Sequence, residues 1–257
     1  MKKFLWMLII LFTVSACGER AGDSESTPIL LSTPSITIRE LPSSTPNPTS
    51  IAIPTPTTEL PTVLFEDNFE GSLNSGWEWQ NEQIDLWNLT NVPSFLQIDV
   101  VGGYVNLGNF SNLLLRPAPQ GNFKIETYLE FRPRRNNQFA GIILYSSNDN
   151  YIQAGRAYCA PVYGCIGKGM YLDIYQAGEL QLPRKAARFD NDGVYLRLTR
   201  NGTTVDLSVS ENNNIWYRVS SFMTDMDIQK IGIVTGQSLE NEPVPAIFDY
   251  FIVSAID

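Results

Sequence analysis

The sequence contains no histidine. That absence removes the usual proton shuttle near neutral pH, the Ser-His-Asp and Cys-His nucleophile arrangements, and the commonest zinc ligand. Any catalysis would have to run on carboxylates, tyrosine, lysine or a bound cation. A cationic excess is lacking too, because 18 Lys and Arg stand against 27 Asp and Glu. Such a balance gives no sequence-independent grip on a phosphate backbone, so no nucleic acid partner is expected. No segment carries a sustained 3.6-residue apolar period, which argues against a helical bundle. The longest apolar run, Phe4 to Val14, is too short to span a bilayer as a stable helix. Cysteine is scarce, with three in the chain.

What is present begins with that apolar run. Lys2 and Lys3 precede it and Val14-Ser15-Ala16-Cys17 ends it, the layout of a secretory leader. The four residues resemble the lipobox of bacterial lipoproteins, in which a Cys after small residues receives diacylglycerol and becomes the new N-terminus. The resemblance implies removal of residues 1–16, a lipid on Cys17, and a place on the extracytoplasmic face of the cell membrane or outer membrane. From 17 to 62 the composition turns to Ser, Thr and Pro, with Thr-Pro pairs at 27–28, 33–34, 45–46 and 55–56. Proline at this density removes backbone donors and favours polyproline II, so a disordered tether is expected. Fully extended, it would reach on the order of 140 Å.

From 63 to 257 the pattern changes to short apolar runs punctuated by turns. Phe123, Ile125, Thr127, Leu129 and Phe131 alternate with Lys124, Glu126, Tyr128, Glu130 and Arg132, the period of a half-buried strand. AGIILY (residues 140–145) then reads as a second strand, and the two are expected to form a central antiparallel hairpin. Further strands are expected at Leu96–Val100, Tyr104–Leu107, Met170–Tyr175, Val194–Arg200, Thr204–Ser210, Trp216–Val219 and Ile231–Thr235. Arg200-Asn201-Gly202 is hairpin-turn chemistry between two of them. Val63–Phe69 and Ala246–Val253 are expected side by side, and the stretch from Tyr151 to Met170 as the longest irregular insertion, a natural rim for a site. Many short strands at this spacing predict an all-β jelly-roll sandwich as one domain.

Several segments then point to a family. Phe65-Glu-Asp-Asn-Phe69, Asn112-Leu-Leu-Leu-Arg-Pro-Ala-Pro119 with Gly121-Asn-Phe123, Gln138-Phe-Ala-Gly-Ile-Ile-Leu-Tyr145, Asp149-Asn-Tyr-Ile152, Val194-Tyr-Leu-Arg-Leu198 and Phe248-Asp-Tyr-Phe251 occur in this order. Together they resemble the concanavalin A-like sandwich at the C-terminus of family 43 β-xylosidases, and they cover nearly all of residues 64–257. The resemblance implies a carbohydrate context. In those enzymes a five-bladed propeller holds the catalytic carboxylates, whereas the stretch ahead of residue 63 here reads as leader and tether, so a non-catalytic module is expected.

Glycoside hydrolysis needs two carboxyl groups roughly 5 to 10 Å apart. Glu126 and Glu130 share a strand face, but four strand residues separate their Cα atoms by about 13 Å. The Glu-x-Asp-x-x-Glu string that family 16 glucanases carry on this sandwich does not occur. Sugars instead stack apolar C–H faces on aromatic rings while polar side chains take the hydroxyls. Tyr171, Asp173 and Tyr175 share one strand parity, and Tyr128, Tyr195 and Arg197 have the matching outward parity on theirs; these six are the predicted carbohydrate-binding set. Tyrosines half-packed under loops are the alternative. Trp77, Trp79 and Trp87 either cap the core or line a cleft, and Arg116 anchors a carboxylate or loop carbonyls. Asp67 and Asp249, inside the first and last strands, are predicted ligands of a structural calcium. Cys159 and Cys165 predict a disulfide. The reading is a membrane-anchored binder of a polysaccharide or glycoconjugate, with an envelope structural or protein-interaction module as the alternative and a carboxylate-driven hydrolase as the lesser one.

Overall fold

A computed structural model describes residues 61–236 and 242–256; residues 1–60, with the predicted leader, Cys17 and all but the last two residues of the tether, lie outside the described residues. The described residues form seventeen strands and three single-turn 3-10 helices, at Ile84–Leu86, Val105–Leu107 and Pro161–Tyr163. In chain order the strands are β1 (Val63–Asp67), β2 (Glu78–Gln80), β3 (Trp87–Asn88), β4 (Leu96–Val100), β5 (Leu113–Pro117), β6 (Phe123–Phe131), β7 (Phe139–Ser147), β8 (Asn150–Cys159) and β9 (Gly167–Gln176). They continue as β10 (Glu179–Leu180), β11 (Lys185–Arg188), β12 (Gly193–Asn201), β13 (Thr204–Ser210), β14 (Tyr217–Met223), β15 (Lys230–Gly236), β16 (Val244–Phe248) and β17 (Phe251–Ala255).

Two antiparallel sheets face each other as a jelly-roll sandwich. Sheet A runs β14-β13-β12-β6-β16-β4-β3, with β17 beside the first half of β6 and β1 beyond it. Sheet B runs β10-β9-β8-β7-β15-β5-β2, with β11 also on β9. Of the expected closing strand Ala246–Val253, the part from Phe251 lies beside β1, Phe65 opposite Val253 and Asp67 opposite Phe251, whereas Ala246–Phe248 belongs to β16 and pairs with β4 and β6. The β12–β13 hairpin closes through Asn201 opposite Thr204, and Gly202 supplies the positive φ of 57° that the turn requires.

The expected central hairpin does not form. β6 pairs with β12, β16 and β17 in sheet A, whereas β7 pairs with β15 and β8 in sheet B. The seven residues between them turn a corner instead, held by Gln138, whose Oε1 accepts the N–H groups of Arg134 and Arg135 at 2.6 and 2.9 Å. The two side-chain patterns belong to different environments. β6 alternates between buried and half-exposed because sheet A has one wet face, while β7 is buried from Phe139 through Leu144 because sheet B is covered on both.

Two further expectations are corrected. The supposed insertion after Tyr151 is mostly β8, a strand buried along almost its whole length, which leaves only residues 160–166 irregular. Its Gln153 and Arg156 make it look polar, but both are fully buried. Tyr104–Leu107 is not a strand either: Asn109 Oδ1 accepts the Tyr104 N–H at 2.8 Å, and Gly108 ends a 3-10 turn at a φ of 69°.

The core between the sheets takes Phe123, Ile125, Leu129 and Phe131 from β6 against Ile142, Leu144, Ile152, Leu172 and Ile231 from sheet B. Each such side chain contributes about 1.5–3 kcal/mol by leaving water. Arg156 enters this core fully buried, donating from Nε to the Phe131 carbonyl (2.8 Å), from Nη1 to Phe189 O (2.9 Å) and from Nη2 to Asp190 O (3.2 Å). It therefore ties β8 of sheet B to the end of β6 in sheet A. Trp79 and Trp87, with ring centroids 4.8 Å apart, pack against the same core from the edge strands β2 and β3. The early tryptophans therefore cap the sandwich.

Candidate functional site

The six predicted binding residues separate into two groups of three, one on each sheet. On β6 and β12 the register sets Tyr195 opposite Tyr128 and Arg197 opposite Glu126. Their partners on the inner face, Leu129, Val194, Leu196 and Leu198, are core, so alternation turns these four outward. The two tyrosine rings lie 4.8 Å apart at 52°. A Cβ at Gly193 would overlap the Tyr128 hydroxyl, so the ring leans over a position that only glycine leaves open. Arg197 donates from Nε and Nη2 to Glu126 Oε1 at 2.8 and 2.6 Å, and Lys124 Nζ stands 2.7 Å from Glu126 Oε2. The Arg197 guanidinium also lies 3.7 Å from the centre of the Trp216 ring.

This face has a definite charge state. Burial pushes the Glu126 carboxyl up, but hydrogen bonds and charge from Lys124 and Arg197 outweigh that and hold it below the usual carboxylate range. An acid held ionised by two cations is the opposite of a proton donor. Glu130, on the same face, is exposed. Tyr128 and Tyr250 are both pushed above the ordinary phenol value, first by burial and then by neighbouring acids, and keep their hydroxyl protons. The face can therefore offer aromatic surface, phenol donors, a carboxylate acceptor and a guanidinium to a neutral polyhydroxylated ligand.

The second group, on β9, is below the surface. Tyr171, Asp173 and Tyr175 retain 1%, 1% and 6% of their accessible surface, so the expected Tyr-rich outer face is not presented here. Asp173 accepts Arg184 Nε and Nη2 at 2.7 and 2.6 Å and Gln153 Nε2 at 3.3 Å. Tyr175 stacks on Tyr151, 4.5 Å between centroids at 13°, and burial pushes its hydroxyl up to about 12. Tyr171 donates to the Gly167 carbonyl at 2.8 Å, with Arg184 4.7 Å from its ring centre. The cover comes from Val105 and Phe110 on one side and from Cys165, Ile166, Leu180 and Ala186 on the other. Asn106 Nδ2 joins the two by donating to Gly178 O at 2.9 Å.

The disulfide between Cys159 and Cys165 is present, with Cα atoms 5.5 Å apart. The calcium expectation at Asp67 and Asp249 does not fit. Asp67 is buried and its carboxylate accepts three N–H groups, from Phe69 (2.9 Å), Asn74 (2.8 Å) and the Trp77 indole (2.8 Å). Hydrogen-bond donors aimed at a carboxylate occupy the lone pairs a cation would need. Among the described residues no three acidic or cysteine side chains converge as a metal site. Arg116 lies over the Phe65 ring at 3.1 Å, with the Asp67 charge opposing the lowering of its pKa by burial. Trp216, Tyr250 and Gly193 were missed as site residues. Trp216 follows a polar loop with no alternation to orient it, and Tyr250 sits in the break between β16 and β17.

The fold and its two faces define a concanavalin A-like sandwich. The chain belongs to the family described as the β-xylosidase C-terminal concanavalin A-like domain, whose model matches residues 66–254. It is similar to a xylosidase/arabinosidase of Butyrivibrio fibrisolvens, 29% identical over 92 residues that make up 35% of this chain and 17% of that protein. Among solved structures it superposes on the GH43 protein BlXynB of Bacillus licheniformis with a TM-score of 0.67 at 18% identity, covering 74% of this chain and 39% of that one. For the xylan β-1,4-xylosidase of Bacillus halodurans the figures are 0.60, 17%, 74% and 38%. The chain thus spans about two-fifths or less of the length of these relatives.

Proposed function

We propose that the protein is a lipid-anchored, extracytoplasmic module whose sandwich binds a polysaccharide or glycoconjugate without cleaving it. The observation that carries this reading is the outer face of sheet A, where Tyr128 and Tyr195 pair at 4.8 Å beside the Arg197–Glu126 bridge and Trp216. Rings supply the stacking surface for sugar C–H faces, and the charged pair supplies directional partners for hydroxyls. Because the relatives include a xylan xylosidase and a xylosidase/arabinosidase, xylan is the first ligand to test. Titrating the full chain with xylo-oligosaccharides should show saturable binding that weakens at least tenfold in Tyr128→Ala and in Arg197→Ala. Binding that is absent, or indifferent to both substitutions, refutes the reading. The anchor at Cys17 is tested separately: Cys17→Ser should lose incorporation of labelled fatty acid and leave the membrane fraction.

A second reading uses the same face. Tyrosine, tryptophan and arginine are also enriched at protein interfaces, and the relatives are more than twice as long as the part this chain matches. Capture of an envelope protein that Tyr128→Ala abolishes, with no glycan bound, favours a protein-interaction module.

A further inference from the structure

Beside the disulfide, on the opposite sheet from the tyrosine face, lies a cleft of about 470 Å³. Its mouth is formed by two loops, with Tyr163 70% exposed on one and Leu182 77% exposed on the other. Its floor and walls are Cys165, Ile166, Tyr171 and Ala186, together with Pro183 and Arg184. Two large, mostly exposed side chains, Tyr163 and Leu182, facing each other across one concavity point to a binding site rather than to scattered surface residues. The volume falls within the range of small-molecule sites.

The chemistry of the occupant follows from charge. The one cation in the lining, Arg184, is bound twice by Asp173, a pair with side-chain exposures of 17% and 0%. The charge of the guanidinium is thereby matched by the buried carboxylate, and its carbon lies 4.7 Å from the Tyr171 ring centre. The cleft is an electrically neutral, aromatic and aliphatic slot, complementary to an uncharged planar group and not to an anion. It is also rigid: the Cys159–Cys165 bridge ties one loop to β8, Tyr171 Oη accepts the Ile166 N–H at 3.3 Å and donates to Gly167 O, and the Arg184–Asp173 pair fixes the other loop. A slot held from both sides loses little freedom on binding.

We infer that this cleft is a second binding site, independent of the tyrosine face, for an uncharged aromatic group of one or two fused rings. The test is calorimetric titration of the full chain with methyl 2-naphthoate and, in parallel, with 2-naphthoate, which has the same rings and a negative charge. The neutral ester should bind one saturable site and bind at least tenfold more tightly than the anion. Tyr163→Ala and Leu182→Ser, both at exposed positions that leave the core intact, should each weaken the ester at least fivefold. Tyr128→Ala should leave it unchanged, so that failure here and failure on the glycan face are read separately. Equal binding of ester and anion, no saturable site, or affinity unaffected by both cleft substitutions overturns the proposal, as does loss of ester binding in Tyr128→Ala.

Discussion

Strands β6 and β9 carry nearly the same message and meet opposite fates. Thr127-Tyr128-Leu129-Glu130 and Met170-Tyr171-Leu172-Asp173 both set tyrosine and acid on one parity against buried residues on the other, Thr127 and Leu129 in one and Met170 and Leu172 in the other. In β6 the Tyr and acid side face water; in β9 it lies under loops, with Asp173 sealed against Arg184. Alternation reports which residues share a face, not what covers that face. The cover is a property of segments outside the strand, 104–110, 165–166 and 180–186 here, whose packing over sheet B no local period encodes.

The comparison is broken most severely where the sheets are joined. Arg156→Ala would leave the Phe131, Phe189 and Asp190 carbonyls without their buried donor and a cavity in the core, and a cost of about 3–5 kcal/mol is expected, read from the denaturant midpoint. Next is Asp173→Ala, which strands the Arg184 guanidinium in a site only 17% exposed; about 3 kcal/mol is expected. The equivalent change on the open sheet, Glu126→Ala, should cost less, about 1 kcal/mol, because the cations it leaves behind, Arg197 and Lys124, keep 28% and 19% of their side-chain surface and can turn to water. Equal costs for the two acids would mean that the faces do not differ as described.

How far this was legible follows from the same contrast. The boundaries of β4, β6 and β13 could be read to the residue, because each alternates cleanly between turn signals. The membership of Tyr128, Tyr195 and Arg197 in one outward face was also legible as parity, but their adjacency needed the β6–β12 register. β8 was lost because burial on both faces erases the period, and its Gln153 and Arg156 are polar residues that tertiary partners, not local pattern, make tolerable. β6 and β7 are adjacent in sequence but not paired, and the difference between an alternating and a continuous apolar strand already separates them into different sheets. Leu182 and Arg184 carried no signal at all. They line the cleft only because β10 and β11 fold back on β9.

Opening the covered sheet at its rim is a smaller perturbation. Cys159→Ser with Cys165→Ser should cost about 2–2.5 kcal/mol on the loop-entropy model, visible as a lower Tm. It should weaken naphthoate ester binding without changing glycan binding, since the bridge touches only the cleft. An effect on both would couple faces that the geometry keeps apart.

The smallest effect is a pH dependence confined to the open face. The Glu126 carboxyl sits below its unfolded value because Lys124 and Arg197 overcome the upward push of burial. A group with a depressed folded pKa binds its proton more readily when unfolded, so its stabilisation is fully present above the unfolded value, near 4.3, and is lost as pH falls through the lower folded value. Wild type should therefore lose more stability than Glu126→Gln as the pH is lowered from about 5 toward 3, with the two curves running parallel above pH 5. The difference should stay at about 1 kcal/mol, since Arg197 and Lys124 still reach water and their charges are screened, and 1 M salt should shrink it further. A pH slope unchanged by Glu126→Gln would show that the Arg197 and Lys124 bridges hold the tyrosine face in shape without drawing on the charge of the acid.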